Sequence, residues 1–499
     1  MSNRKHIVII GGGIGGLAAA ALLAQDGYKV TVLEKNDMMG GRARVLKKDG
    51  FTFDMGPSWY MMPDIFDRFF KEFNKKTSDF LQLLPLDPQY RVLFHDGSHV
   101  DMHLDMKKNK AVFEKIEKGS AKKLDAYLAE AQLKYELSLK TVLYKNIDSL
   151  FDFFDWDLIK NGAILKPFMS MEQYIKQFFA SEKLQQIIEF TLVFLGGAPH
   201  NMPALYSLIS YVDFKLHTFY PKGGMYAVIE ALVQLGSEHE VEYVTHAEVT
   251  SLVVENGEIK KIHTRKKSYK PDVVIANADY AHIESLFTDQ AYRKYSDAYW
   301  QKKTFAPSAF LMYLGIKGTL PQLAHHSIYY GSGWQKHFTE IFEHPAWPQN
   351  PAVYLNVPSM TDPQMAPKGC SGLMVLVPIA SGLTETELWK ESYGDFIIKY
   401  LDTTMKLNLS PRIVSKTIFS VSDFESAYNS MQGNALGGLA HTLLQTGPFR
   451  PPNKHTKINN LFFAGANTVP GIGVPPAIIS GHLARERVTD FFAAYSPKV

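Results

Sequence analysis

The stretch HIVIIGGGIGGLAAAALLAQDGYKV, residues 6–30, constrains the fold of this 499-residue chain more than any other. Arg4 and Lys5 precede a long apolar run with small side chains, which is also how a secretory signal peptide begins. Five glycines, however, crowd into residues 11–16, and each weakens a helix by about 1 kcal/mol relative to alanine. The apolar core of a signal peptide gains nothing from them. We therefore expect no signal peptide and no transmembrane helix, and a mature protein that keeps this segment.

The same stretch predicts a strand, a turn and a helix followed by a second strand. HIVII (6–10) is a β-branched run typical of a buried parallel strand, residues 17–27 favour a helix, and KVTVLEK (29–35) forms the next strand. In such a unit the glycines permit a tight turn, close approach of the backbone to a pyrophosphate, and helix–strand packing, while an acidic residue accepts hydrogen bonds from a ribose. We predict these nucleotide-binding residues: Gly11, Gly13, Gly16 and Glu34.

The segment after Glu34 narrows the choice between FAD and NAD, which the first unit alone leaves open. KNDMMGGRARVLKKDGFTFDMGPSWY (35–60) carries a second glycine pair followed by Arg42 and Arg44. Arginine beside flexible backbone is suited to holding a pyrophosphate or a flavin edge. By itself the fragment is more simply interpreted as a solvated basic loop, and only together with the glycine turn does it favour the cofactor role.

Several segments of the chain resemble the bacterial and fungal phytoene desaturases, which are carotenoid desaturases within the flavin amine-oxidase-like superfamily. They are GGGIGGLAAA, LEKNDMMGGRAR, GFTFDMGPSWY, GGAPHNMPALYSLI, FYPKGGMYAVIEAL, DVVIANADYAHI and NLFFAGANTVPGIGVPPAIISGHLA. The resemblance runs nearly from end to end and implies FAD as the cofactor. In the last segment it implies a helix whose start, near Pro475, points at the flavin and stabilises negative charge on it. Ala466 stands where many flavoenzymes of the superfamily carry an acid.

The resemblance extends the set of expected cofactor-binding residues beyond the first four. The added residues are Lys35, Gly41, Arg42, Pro57, Ser58, Val249, Asn277, Gly465, Ala466, Val474, Pro475 and Ala477. For Val249 and Asn277 a purely structural role remains an equal alternative.

Both ends of the chain match the flavin-binding part, so we predict a discontinuous cofactor domain. The expected fold is mixed α/β: a Rossmann-type FAD-binding domain, a substrate domain on an antiparallel or mixed β-sheet, and a helical membrane-facing subdomain. Asn256-Gly257 predicts a two-residue hairpin turn within the cofactor domain. The expected boundaries are 1–75, 222–290 and 455–499 for FAD, 76–104 and 291–454 for substrate, and 105–221 for the helical part.

The segment 149–184 is unusually rich in aromatic and apolar residues, with lysines among them. Such a pattern can lie at a bilayer interface, although a pair of core helices explains it as well. A C40 polyene dissolves only in a membrane, and the implied substrate therefore favours docking at the membrane surface. We expect a peripheral protein on the cytoplasmic side of the membrane, docked through Phe151, Phe153, Phe154, Trp156 and Phe168.

No residue pattern in the sequence indicates a catalytic base or a metal site. The implied reaction moves a hydride to the flavin and releases a proton, so a side-chain base is optional. Asp213, His217 and Lys222 are weak catalytic candidates, for each of which a structural role is the stronger interpretation. His325 and His326 are adjacent and should face opposite sides of a strand, which disfavours a shared metal, and we expect none.

The implied function is FAD-dependent desaturation of an acyclic carotene, with quinone or oxygen reoxidising the flavin. Alternatives within the family are a hydroxycarotenoid 3,4-desaturase, a C30 diapophytoene desaturase or a carotenoid isomerase, and an alternative of another class is an amine or porphyrinogen oxidase. The balance of 53 basic and 50 acidic residues argues against a nucleic-acid partner. The single cysteine, Cys370, excludes an internal disulfide and fits a reducing compartment.

Overall fold

A computed structural model describes residues 4–149, 152, 160, 162–166, 168–193 and 195–495. The strands are β1 (His6–Ile10), β2 (Lys29–Leu33), β3 (Val45–Lys48), β4 (Phe51–Asp54), β5 (Leu83–Pro85), β6 (Tyr90–Phe94), β7 (His99–Met102), β8 (Phe219–Pro221), β9 (Glu242–Val244), β10 (Val249–Glu255), β11 (Glu258–Thr264), β12 (Ser268–Tyr269), β13 (Val273–Ala276), β14 (Ser308–Lys317), β15 (His326–Tyr330), β16 (Val353–Asn356), β17 (Cys370–Ile379), β18 (Ile413–Phe419) and β19 (Leu461–Phe463).

The α-helices fill the intervals between these strands, together with short 3₁₀ and π turns. They are α1 (Ile14–Gln25), α2 (Pro63–Lys71), α3 (Met106–Ile116), α4 (Ser120–Ser138), α5 (Gly162–Leu165), α6 (Met171–Lys176), α7 (Glu182–Val193), α8 (Leu208–Tyr211), α9 (Tyr226–Glu238), α10 (Tyr280–Ser285), α11 (Asp297–Gln301), α12 (Trp334–Phe342), α13 (Glu387–Met405), α14 (Val421–Tyr428) and α15 (Val474–Tyr495).

A parallel sheet of order β19-β13-β1-β2-β9 gathers strands from three distant parts of the chain. Side chains of β1 alternate between two apolar clusters. Ile7 and Ile9 face the helices, where α1 packs against α9 and α15, while Val8 and Ile10 face the small antiparallel sheet β10-β11-β12. Burial on both faces explains why β1 is a continuous apolar run.

A second sheet of order β18-β14-β17-β16-β15-β6-β7 forms the other large layer. Its pairings are antiparallel except for β15 with β6, as expected for an antiparallel or mixed sheet. Alternate residues of β14 again serve two faces: Phe310 and Met312 pack in a cluster with α13, and Ala309 and Leu311 face the opposite side. That opposite face looks toward the parallel sheet and forms one wall of the site described below.

Most of the region from residue 105 to residue 218 is helical, as expected, and its helices α3 to α8 cover one side of the molecule. Phe168 is 89% exposed there. Phe151, Phe153, Phe154 and Trp156 lie outside the described residues. Within the part of the chain that the structure describes, no helix has the length and apolar character needed to cross a bilayer.

Local details of the fold both match and depart from the expectations. Asn256 and Gly257 have positive φ angles of 52° and 73° and join β10 to β11, which confirms the predicted hairpin turn. Helix α1 begins at Ile14, earlier than residue 17, because the backbone is already helical at the last two glycines of the turn.

The expectation that His325 and His326 face opposite sides is wrong. His325 precedes the strand that begins at His326, so the two rings contact each other with centroids 4.4 Å apart.

A candidate flavin site joined to an apolar cavity

A cavity of about 460 Å³ reaches from the carboxyl edge of the parallel sheet to the face of the seven-stranded sheet. Every residue predicted to bind the cofactor lines this cavity except Gly16. The fold therefore brings together segments that lie more than 400 residues apart in the sequence, such as Gly11 and Val474.

The glycine turn after β1 is held by close backbone contacts. Gly11 has a φ of 102°, and its N–H donates to the carbonyl of Leu33 at 2.8 Å. A Cβ on Gly16 would lie 2.5 Å from the Gly11 carbonyl oxygen, so this third glycine serves helix–strand packing, as predicted from its spacing. The Asn277 side-chain amide donates to the Gly11 carbonyl at 3.0 Å and braces the turn from the neighbouring strand.

Glu34 lies at the end of β2 with only 5% of its surface exposed. One carboxylate oxygen accepts from the Gly12 N–H at 2.9 Å, and the other accepts from the backbone and side chain of Asn36, both at 2.9 Å. A carboxylate offers about four acceptor positions, so these three bonds leave capacity for a further donor from the cavity. The adjacent Lys35 ammonium donates to the Ser426 carbonyl and to Asn429, both at 2.8 Å.

Arg42 supplies a half-buried positive charge to the cavity wall. Its Nη2 donates to Ser430 Oγ at 2.9 Å, and its guanidinium lies 5.4 Å from the centre of the Tyr428 ring. Its buried Nε–H has no hydrogen-bond partner among the described residues. Desolvation lowers the pKa of Arg42, and the nearby carboxylate of Asp279 opposes that shift. An unsatisfied buried donor on a charged group fits a ligand that brings acceptor oxygens or nitrogens.

The amino end of α15 reaches the cavity from the carboxyl-terminal part of the chain. The helix begins at Val474, and Val474, Pro475 and Ala477 line the cavity, so the positive end of its dipole lies at the wall. Gly465 sits in the preceding turn with a φ of 93°, and its N–H donates to Ser480 Oγ at 2.7 Å. Ala466 accepts a hydrogen bond from Arg450 through its backbone carbonyl at 2.9 Å.

The remaining part of the cavity is mainly apolar. Four paired residues form a row across its floor, one each on β14, β17, β16 and β15: Leu311, Leu376, Tyr354 and Ile328. Facing residues come from the loop after β4 and from the helical region: Met61, Met62, Phe190, Val193, Leu195 and Ile209. Such walls suit a long apolar molecule and exclude water from it.

The three weak catalytic candidates do not line this cavity. Asp213 is buried behind its wall, where burial raises the pKa to about 7 and Tyr90 donates to its carboxylate at 2.8 Å. Lys222 is exposed, and His217 lies in the backbone segment that leads from Asp213 into β8. The structure thus gives these residues no contact with a molecule in the cavity.

Sequence reasoning missed several polar and aromatic residues of the cavity wall, namely Trp59, Asp279, Tyr354 and Tyr428. Trp59 and Asp279 lie within the segments that resemble the family, one residue after Ser58 and two residues after Asn277. Their closeness in sequence to these expected cofactor-binding residues could have indicated that they line the site. Tyr354 and Tyr428 carry no such signal, because strand pairing and helix packing bring them to the site.

The residues present fit a flavin dinucleotide: a glycine turn open to the cavity, an acid at the end of β2, an unsatisfied buried arginine donor and a helix amino end. Among the described residues no group of three or more His, Cys, Asp or Glu side chains is placed to hold a metal ion.

Comparison with known proteins identifies the family. Residues 14–489 match the family model "Flavin containing amine oxidoreductase". The chain is 44% identical to a carotenoid 3,4-desaturase of Haloarcula japonica over 97% of this chain and 98% of that protein. It is 32% identical to a zeta-carotene-forming phytoene desaturase of Myxococcus xanthus, covering 97% of this chain and 94% of that protein.

Two solved structures show the same fold at low sequence identity. An oxidoreductase of Methanosarcina mazei has a TM-score of 0.63 at 18% identity, covering 97% of this chain and all of that one. Cyclohexylamine oxidase of Brevibacterium oxydans has a TM-score of 0.60 at 14% identity, covering 98% of this chain and all of that one. The chain is an FAD-dependent oxidoreductase that belongs to the flavin containing amine oxidoreductases and, within them, to the carotenoid desaturases.

Proposed function

We propose that this enzyme desaturates an acyclic carotenoid held in the apolar cavity. The observation that carries the proposal is the continuity of that cavity with the flavin groove, because an apolar chain lying in it reaches the cofactor without crossing water. When bound, FAD supplies a hydride acceptor at N5. With that acceptor in place, a carbon–carbon single bond would become a conjugated double bond by losing a hydride to it and a proton to solvent, and quinone or oxygen would take up the two electrons.

The residues of the chain bind and orient both molecules and stabilise charge. The glycine turn, Glu34 and Lys35 hold the adenosine and pyrophosphate part, and Val249 and Asn277 lie beside it. Arg42 and the amino end of α15 place positive charge near the flavin, where reduction adds negative charge. Segments 1–75, 222–290 and 455–499 act as the cofactor domain in this account, and the seven-stranded sheet with the helical part surrounds the substrate.

The position of the new double bond divides the candidates within the family. The relative at 44% identity acts as a carotenoid 3,4-desaturase, whereas the phytoene desaturases and the C30 diapophytoene desaturases share 31–33%. This difference favours a bond near the end of the carotenoid, the 3,4 bond. Phytoene desaturation is the second candidate, supported by the family-like segments at both chain ends.

We also propose that the enzyme docks on an anionic membrane surface to collect this substrate. Phe168 is 89% exposed, and the turn 443–449 exposes Leu444 by 69% and Phe449 by 46%. Both elements contact the short turn Ala204–Ser207: Tyr206 and Thr446 share a hydrogen bond of 2.5 Å, and the Ala204 N–H donates to the carbonyl of Met169, the neighbour of Phe168, at 2.8 Å.

Basic residues and the cavity wall lie next to this docking surface, which comprises Phe168 and residues 443–449. Thr304 makes two hydrogen bonds with Gln445, which brings Lys302 and Lys303 beside the turn. His441 bonds through Nδ1 to the carbonyl of Leu195, a residue of the cavity wall. Apolar side chains flanked by lysines suit insertion into a bilayer containing anionic lipids.

The proposed reaction predicts a defined product pattern. Purified enzyme loaded with FAD, mixed with liposomes that carry single carotenes, should convert at least one acyclic carotene to a product with one more conjugated double bond. Chromatography with absorption spectra of the products measures this directly. A product with the new bond at the 3,4 position supports the first candidate, and stepwise conversion of phytoene supports the second. Turnover of soluble amines with no change in any carotene would contradict both.

Replacement of Arg42 tests its proposed contact with the cofactor. Arg42→Met should raise the dissociation constant of FAD about 10- to 100-fold, because a charged hydrogen bond contributes about 1.5–3 kcal/mol. Flavin fluorescence titration of the apoprotein measures it. Arg44→Met is the matched control, because Arg44 pairs with Asp37 and does not line the cavity. An equal loss of FAD affinity in both variants would contradict a specific role of Arg42 in binding the cofactor.

Replacement of Leu444 tests the docking surface. Leu444→Glu should reduce binding to anionic vesicles at least about tenfold, because burial of a leucine side chain contributes about 1.5–3 kcal/mol. Co-sedimentation with vesicles measures the binding. Leu388→Glu is the control, since Leu388 is 79% exposed on α13, away from the turn. If both variants bind vesicles as well as the unchanged protein does, the membrane does not contact this turn.

A further inference from the structure

The floor of the apolar cavity ends at strand β15. The floor row runs from Leu311 on β14 to Ile328 on β15. The next strand, β6, pairs Val92 with Ile328 and Phe94 with Tyr330, yet neither Val92 nor Phe94 lines the cavity. Both are buried, with 0% and 3% of their surfaces exposed. The space along the floor is therefore closed between β15 and β6.

Aromatic side chains form the wall at this end. Tyr330 and Trp334 both line the cavity, and their rings meet edge to face with centroids 4.4 Å apart. Phe190 of helix α7 adds a third ring to the lining. All three side chains are buried. Because protein interiors are closely packed, these rings limit how far a molecule can extend past Ile328.

The polar atoms of Tyr330 and Trp334 are bonded within the protein. The Trp334 Nε1–H donates to Oε2 of Glu189 at 3.3 Å, and the Tyr330 hydroxyl donates to the backbone carbonyl of Gln186 at 2.9 Å. Glu189 and Gln186 lie on α7 and do not line the cavity. Because both donors are already bonded, the two rings present apolar surface to the cavity. This end wall therefore fits the hydrocarbon end of a chain and disfavours a polar group there.

The closed end lies one strand away from a residue that is expected to bind the cofactor. Ile328 pairs directly with Tyr354 on β16, and the Tyr354 hydroxyl lies 2.7 Å from Ser58 Oγ. Adjacent strands are about 5 Å apart, which is of the order of one isoprene unit. A carotenoid whose end rests on Ile328 and Trp334 therefore brings a bond of its terminal isoprene unit close to Ser58.

An acyclic carotene offers such an enzyme several similar bonds. Each isoprene unit that has not been desaturated carries a single bond flanked by double bonds on both sides, so these bonds repeat at intervals of one unit. Their similar chemistry gives a cofactor little basis for choosing among them. The choice then depends on how deeply the chain lies in the cavity, because reaction requires the reacting atoms to be closely aligned.

We infer that Ile328, Tyr330 and Trp334 form an end stop that fixes this depth and directs desaturation to the 3,4 bond of the terminal isoprene unit. The end stop acts by contact with the apolar end of the chain and requires no polar group on the substrate. This inference rests on the proposed carotenoid desaturation and assigns the residues that determine which bond reacts.

A carotene with two reactive bonds tests the end stop. The substrate is a symmetrical acyclic carotene in which the 3,4 bond and the 7,8 bond, its counterpart in the next isoprene unit, are both single. The holoenzyme is assayed in detergent at low conversion, and the measured quantity is the ratio of 3,4 product to 7,8 product. Absorption spectra distinguish the two products, because 7,8 desaturation lengthens the central chromophore and 3,4 desaturation creates a separate triene.

We expect the unchanged enzyme to favour the 3,4 bond by at least about tenfold, since a displacement of about 1 Å from the reacting geometry can cost about a hundredfold in rate. Trp334→Ala and Ile328→Ala each deepen the cavity at its closed end. Each should lower the ratio at least about fourfold, because burial of one further CH₂ group of the chain changes an equilibrium constant about fourfold.

Leu311→Ala is the matched control for Ile328→Ala. It removes the same number of atoms at the other end of the floor row, and its ratio should equal that of the unchanged enzyme. An effect on FAD binding or on folding changes both products alike and cancels in the ratio. Flavin content and melting temperature are recorded for each variant.

The outcomes separate this inference from the proposed function. The end stop is overturned if the unchanged enzyme does not favour the 3,4 bond, if Trp334→Ala and Ile328→Ala both preserve the ratio, or if Leu311→Ala lowers it as much as Ile328→Ala does. Desaturation itself stands in each of these cases. Conversion at neither bond also overturns the end stop, and if no other acyclic carotene is converted, the proposed function falls with it.

Discussion

The site depends on the close approach of three backbone segments that have no room for side chains between them. A Cβ on Gly15 would lie 2.8 Å from both Asn277 Oδ1 and the Gly465 nitrogen, and a Cβ on Gly465 would lie 2.7 Å from Asn277 Oδ1. Farther along the same helix pair, a Cβ on Gly481 would lie 2.8 Å from Ala18. These contacts join the first helix, the end of β13 and the last helix, and so place both chain ends around one cavity.

The cavity combines a polar environment with an apolar one, and this combination suits a cofactor that acts on an apolar substrate. The groove beside Arg42, Glu34 and the amino end of α15 offers charge and hydrogen-bond donors, which suit a dinucleotide. The adjoining space between the seven-stranded sheet and the helical region offers aliphatic and aromatic walls. A flavin oxidising an apolar chain needs both environments in contact, because the low dielectric of the second strengthens the electrostatic interactions of the first.

Local patterns in the sequence predicted much of the cofactor half of the molecule. The glycine spacing, the hairpin at Asn256-Gly257 and the Pro475 helix are each encoded within about thirty residues. The contact between Ser58 and Tyr354 in the cavity wall could not be predicted in this way. Tyr354 reaches Ser58 and His326 only through the pairing of β16 with β15 and β17, and its own surroundings in the sequence read as an ordinary strand.

The same limit applies to the outer surface. The aromatic segment near residue 160 stands out by its composition, whereas the turn 443–449, with Leu443, Leu444 and Phe449 among seven residues, is too short to stand out and becomes notable only through its exposure. Exposure is a tertiary property, and sequence composition gives little warning of it. The prediction for His325 and His326 failed for a related reason. Side chains alternate only within a strand, and the strand begins at His326, so the rings of the two residues can contact each other.

The central claim is that a carotenoid in the apolar cavity reduces FAD in the adjoining groove. Anaerobic mixing of the oxidised holoenzyme with carotenoid-loaded liposomes, followed by stopped-flow absorption of the flavin, tests it most directly. We expect the flavin band to bleach as the carotenoid spectrum shifts to longer wavelength, with equal molar amounts of flavin and carotenoid changed. A flavin that stays oxidised with every carotenoid supplied, yet bleaches with a soluble amine, would contradict it.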